Sequence, residues 1–243
     1  MSSPRSSIRF VRPSAASSPR NRYLCTVYGA DRQELQSLLG DRIVLASVRD
    51  GHAVVREGST EQNERTIAAL RERFGDYRVA IGRQDLARLL IEEARVRGTI
   101  LALAESCTGG LVGARITSVS GSSAVFWGSI VSYADDAKVG LLGVSRQSLI
   151  RYGAVSEEVV REMAAGALRV SGAGVGLAVS GVAGPGGGTP VKPVGTVWLG
   201  CCNRAGEAST RRLMLTGGRN RVRRLAVCEA LLMIRGFLWR VDR

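Results

Sequence analysis

Two residues in this chain stand where acyl-transfer chemistry is possible: a serine at a strand-to-helix junction, and one of very few lysines. Ser106 lies in AESCTGG (104–110), where the apolar run TILALAE (99–105) gives way to a glycine pair and a helical pattern. The first amides of a helix point outward with the positive end of its dipole, so such a junction suits an oxyanion or a phosphate. Gly109 and Gly110 permit close approach there. The same position is also the ordinary place for an N-cap, and Ser106 and Thr108 both qualify. Serine is a weak nucleophile without a neighbouring base. Only two lysines, Lys138 and Lys192, occur among the 34 basic residues. An ammonium can lose its proton when desolvated and a guanidinium effectively cannot, which makes Lys138, in VSYADDAK (131–138), the candidate base. A strongly arginine-biased composition would also leave a couple of lysines somewhere by chance. The basic role requires Asp135 and Asp136 to face solvent or the helix start, away from the amine. Tyr133 is placed to hydrogen-bond this pair, to stack on a flat substrate, or simply to pack. Cys107 is the rival nucleophile, because a thiolate at a helix N-terminus beside a lysine can be acidic.

A third segment, GVAGPGGGTPVKPVGT (181–196), is long for a plain connection inside a compact α/β domain, and its glycines suit a backbone that wraps an anion or an amide. Arg219 and Arg223 open the last helical stretch, where they can hold a phosphate or serve as surface charge. The one histidine, His52, follows Asp50-Gly51 in an expected hairpin turn, so histidine-based triads and histidine-rich metal sites have little to build on.

Composition bounds the rest. The chain has 243 residues, 45% of them hydrophobic, enough for one ordinary domain and a smaller one. Five cysteines without CxxC spacing argue against a disulfide framework or a zinc site, and a reducing cytoplasm fits them. No apolar run is long enough to span a membrane. The net charge of +13 raises the question of nucleic acid, but five arginines fall in residues 1–22 and nine in residues 211–243, so much of the excess is terminal. Nucleic acid is therefore not the expected partner.

These residues need elements to hold them. Residues 1–22, rich in Ser, Arg and Pro, read as a disordered tail. Residues 23–83 show a β-α-β-β-α pattern and read as a small separate α+β module for scaffolding or dimerisation. From residue 84 onward, helix and strand patterns alternate, with strands in 99–105, 124–134, 175–181, 195–202 and 208–215. Helices are expected in 85–98, 108–118, 156–171 and 219–239. The fold class is α/β: a three-layer α/β/α domain with a mixed sheet, preceded by the α+β module.

Taken in order, AESCTGG, GSSAVFWGSIVSYADDAK, GAVSEEVVREMAAGA, SGVAGPGGG and KPVGTVW are similar to the C-terminal domain of the CinA family, the nicotinamide mononucleotide (NMN) amidohydrolases. The resemblance covers about residues 85–240 and implies cofactor-free, metal-independent hydrolysis of a nucleotide carboxamide. Ser106 and Lys138 match the catalytic pair, with Tyr133 beside them. Thr108, Gly109, Gly110, Ser180, Gly184, Gly186, Gly187 and Arg219 fall at matching substrate-binding positions. Residues 23–83 resemble the KH-type module that precedes this domain, and a homo-oligomer is expected. The family's upstream domain, similar to molybdopterin-binding proteins, has no counterpart in this sequence, so its pyrophosphatase activity is not implied. Asp135-Asp136 stand where the family often has Asn-Glu, Val191 where an acid is common, and Gly218 where Asp usually precedes Arg219. The other reading is a non-catalytic protein of DNA uptake or damage response.

Overall fold

The computed structural model describes residues 23–30, 32–40, 45–49, 52–56 and 59–241. The tail expected over residues 1–22 and the turn at Asp50-Gly51 lie outside these residues.

The first unit runs β1 (Tyr23–Tyr28), α1 (Arg32–Leu39), β2 (Leu45–Arg49), β3 (His52–Arg56), α2 (Thr60–Phe74) and a short β4 (Val79–Ile81). The strands form one antiparallel sheet in the order β2-β3-β1-β4. Sequence patterning missed β4, which is three residues long and carries no alternation to detect. His52 is the first residue of β3 and pairs with Arg49 and Tyr28.

The second unit contains α3 (Leu86–Val96), β5 (Leu101–Glu105), α4 (Leu111–Thr117), β6 (Phe126–Val131), α5 (Asp135–Leu142), α6 (Arg146–Tyr152) and α7 (Glu157–Ser171). It closes with β7 (Val175–Gly181), β8 (Thr196–Asn203), β9 (Ala208–Met214) and α8 (Arg219–Val241). Its mixed sheet has the order β6-β5-β7-β8-β9, parallel across β6, β5 and β7 and antiparallel beyond. Helices cover both faces, giving the three-layer α/β/α architecture.

Strand alternation decides which helix layer each residue meets. Leu101, Leu103, Leu177, Val179, Val197 and Leu199 pack with α3, α4 and α8. Ala102, Ala104, Ala178 and Ile130 face the other way, against α5 and α7. On that second face α7 lies directly on the sheet: a Cβ on Gly176 would come within 2.6 Å of Ala164 O, and one on Gly200 within 2.7 Å of Val160 O.

The first unit is less separate than its sequence pattern implies. Tyr28 and Ala80 belong to the same buried cluster as α3 and α8. Two arginines reinforce this seam. Arg78 Nη2 meets Glu229 Oε2 at 3.1 Å, both side chains being nearly buried. Arg235 of α8 pairs with Glu93 of α3 at 2.7 Å and also donates to Tyr77 O. No described helix is long and apolar enough to cross a membrane.

Candidate active site

The three parallel strands β6, β5 and β7 each carry a serine at their C-terminal end: Ser132 and Ser106 directly follow β6 and β5, and Ser180 is the penultimate residue of β7. Glu105 is in register with Val131 on one side and Val179 on the other. The next residues, Ser132, Ser106 and Ser180, therefore form a row. Ser132 N donates to Glu105 O and Ser106 N to Val179 O, both at 2.9 Å, which holds the row together. By the same alternation, Ser106 continues the series Ala102, Ala104, and Ser132 continues Ile130, so the row belongs to the α5/α7 face. Lys138 sits on α5, whose Leu142 packs in that layer. Its side chain is 1% exposed, and its Nζ donates to Tyr133 O at 3.1 Å.

One expectation fails at this point. Asp135 does not stand away from the amine: its Oδ1 lies 3.2 Å from Lys138 Nζ, an i,i+3 pair on the first turn of α5. The reason is helical geometry, since positions three apart share a face. Asp136 does point away and pairs with Arg146 at 3.0 Å. Tyr133 contributes its carbonyl to Lys138, while its hydroxyl accepts from Arg219 Nη2 at 3.1 Å.

The amides at the start of α4 also differ from expectation. Glu105, wholly buried and pointing to the opposite face from Ser106, occupies them. Its Oε2 accepts from Gly110 N and Val112 N at 3.0 Å and from Thr108 Oγ1 at 2.7 Å. Its Oε1 accepts from Gly113 N at 2.9 Å and Ser129 Oγ at 2.7 Å. A carboxylate with five donors satisfies the helix start from below, so these amides are not open to a phosphate or an oxyanion. Thr108 is fully buried and spends its hydroxyl on Glu105 rather than facing a ligand. Gly109 and Gly110 have φ of 59° and 91°, values that only glycine adopts at ease, and Gly110 N-caps α4. Sequence reasoning did not single out Glu105. The signal was an acid closing an otherwise apolar strand, a position that demands a buried partner set.

Cys107 is not an acidic thiol. Burial pushes it up to about 12, and its own amide, Arg223 and Arg219 pull the other way without offsetting this. All five cysteines are buried, and none of them forms a disulfide.

The remaining predicted residues fall on the end of β7, the loop after it and the start of α8. Ser180 is buried and its Oγ donates to Ala154 O at 2.7 Å. Arg219 Nη1 donates to Gly184 O at 2.8 Å, so Arg219, Tyr133 and Gly184 meet at one place. Arg223 braces the Ser106 turn by donating to Thr108 O at 2.7 Å. Gly186 and Gly187 are exposed on the loop 182–195. That loop is closed at its base, where Val182 N donates to Thr196 O and Gly195 N to Val182 O, each at 2.8 Å. Lys192, the second lysine, donates to Tyr152 O at the C-terminus of α6, a favourable place for a cation, and so anchors the loop.

The chain is thus a three-layer α/β/α protein with a serine row and a buried lysine at the ends of its parallel strands. The CinA C-terminal domain family matches residues 83–238, and the chain belongs to that family. It is 39% identical over 196 residues to a CinA-like protein of Kosmotoga olearia, covering 81% of this chain and 47% of that protein. With a CinA-like protein of Geobacter sulfurreducens the identity is 47% over 169 residues, 70% of this chain and 41% of the relative. The chain thus spans about half the length of these relatives or less. The crystal structure of competence/damage inducible protein CihA from Agrobacterium tumefaciens is similar at a TM-score of 0.61 and 40% identity, covering 65% of this chain and 94% of that one.

Proposed function

We propose that this chain is a metal-independent amidohydrolase that converts NMN to nicotinate mononucleotide and ammonia. The observation that supports the reading is a serine, Ser106, directly after β5 on the sheet face that α5 covers, together with a lysine, Lys138, buried on α5. Ser106 Oγ attacks the carboxamide carbon while Lys138, as the neutral amine, takes its proton. Lys138 then returns the proton to the departing ammonia, and water hydrolyses the acyl-enzyme. Because Asp135 pairs with the amine and is itself 61% exposed, it swings away for the lysine to accept a proton. The oxyanion is taken by the amides of Cys107 or Thr108, since Gly109 N donates to Ser106 O and Gly110, Val112 and Gly113 N donate to Glu105. Such a donor is typically worth about 3 kcal/mol.

The nucleotide lies across the rim formed by Tyr133, Arg219 and Gly184, with Arg219 meeting the phosphate and Tyr133 lying against the flat ring. Gly186 and Gly187 give the loop the close backbone approach that a ligand there requires. Residues 23–83 act as a KH-type scaffold, and the enzyme works as a homo-oligomer in the cytoplasm.

The test is ammonia release from NMN in chelator-containing buffer by the wild type, Ser106→Ala and Lys138→Ala. Turnover by the wild type and its loss in both variants supports the reading. A folded, inert wild type would remove NMN as the substrate. Retained turnover in Ser106→Ala would move the nucleophile elsewhere.

A further inference from the structure

The three serines of the row are not equivalent. Ser180 Oγ is bonded to Ala154 O, and Ser106 retains 8% exposure. Ser132 is fully buried, and its Oγ has no hydrogen-bond partner. Buried hydroxyls are almost always satisfied, and one that is not calls for a physical reason. The backbone around it is rigidly held. Its amide donates to Glu105, the residue before Ser106, and the following carbonyl, that of Tyr133, accepts from Lys138 Nζ at 3.1 Å. Ser132 is therefore the ladder neighbour of Ser106 and the chain neighbour of the group that holds the lysine. All three side chains belong to the same sheet face.

We propose that Ser132 is a relay residue: its hydroxyl bridges Ser106 and Lys138 during turnover. The inference rests on the serine–lysine reading above. A serine hydroxyl carries one donor and two acceptor sites, so it can accept from Ser106 while donating to the neutral amine. As the bond from Ser106 Oγ to the carbonyl carbon forms, the Ser106 proton passes to Ser132 Oγ and the Ser132 proton passes to Lys138 Nζ. The return steps run in reverse and deliver one proton to the departing ammonia, so Ser132 ends unchanged. Lys138 is paired with Asp135, and the Ser132 hydroxyl has no partner.

The experiment compares Ser132→Ala and Ser132→Thr with wild type and Ser106→Ala by three readouts: ammonia release from NMN, the rate at which a fluorophosphonate labels Ser106, and Tm. The expected result for Ser132→Ala is a kcat at least about 100-fold lower with KM little changed. Labelling should slow in parallel, while Tm stays the same or rises because an unsatisfied hydroxyl has been removed. Ser132→Thr, which keeps a hydroxyl, should recover most of the activity. A Ser132→Ala enzyme within twofold of wild type in kcat and labelling would overturn the relay. So would a loss of activity that tracks a fall in Tm and is not rescued by threonine. Normal labelling that Ser132→Ala slows, in an enzyme inert towards NMN, would keep the relay and remove only the substrate. A wild type that neither labels nor turns over would overturn both.

Discussion

Asp135 Oδ1 lies 3.2 Å from Lys138 Nζ, yet the two side chains are 61% and 1% exposed. One partner is free to leave and the other is not. Proton acceptance by Lys138 requires this ion pair to open, so the carboxylate should slow the reaction. Asp135→Asn should raise kcat/KM at neutral pH roughly two- to fivefold, about 0.4–1 kcal/mol, the size of an exposed pair. Steady-state kinetics of the two proteins decide it, and a drop in the variant would assign Asp135 a helpful role.

Glu105 receives five hydrogen bonds with no exposure to water. Glu105→Ala strands all five donors, and Glu105→Gln turns an amide N–H₂ towards groups that are themselves donors. Each should cost on the order of 3–5 kcal/mol. For a chain of this size that is a fall in Tm of about 6–20 °C. Thermal unfolding followed by circular dichroism measures it, and a shift under about 2 °C would remove Glu105 from this role.

Cys107 should be inert despite its position beside Ser106. Burial pushes its thiol up to about 12, so the reactive thiolate is scarce at pH 8. An aromatic disulfide reagent should leave Cys107 unmodified in the native protein and react after unfolding. Cys107→Ala should retain turnover; stoichiometric inactivation by the reagent would restore the thiol as nucleophile.

Asp85 links acid stability to α3. Burial works against its charge, but the Arg88 amide that it caps and the Arg115 guanidinium outweigh this and hold its carboxyl below the ordinary 3.8. A carboxyl depressed by folding contributes stability that is present above its unfolded value and lost as pH falls through the folded one. Stability should therefore decline below about pH 4. Asp85→Asn, which keeps the cap but not the charge, should flatten that decline. Urea midpoints at pH 3 and pH 6 for both proteins test the sign.

Much of the architecture is legible in the chain because periodicity is a local property. The apolar runs that became β5 and β7 are buried on both faces, and α3, α7 and α8 carry long helical patterns. The short elements were not legible. β4 has three residues and α6 has seven with none fully buried, so neither displays a period strong enough to read.

For the site, the sequence by itself determined the candidate chemistry: a serine at a strand end, a rare lysine, a glycine loop and an arginine opening the last helix. Tertiary structure alone decided what surrounds each of them. That Ser132, Ser106 and Ser180 form one row follows from parallel strand register, a non-local pairing that no segment encodes. That Glu105 occupies the helix amides, that Lys192 anchors a loop to α6, and that a polar hydroxyl is left unsatisfied are consequences of burial. Burial turns each polar group into a demand for a partner, and only the packed chain determines whether one is there.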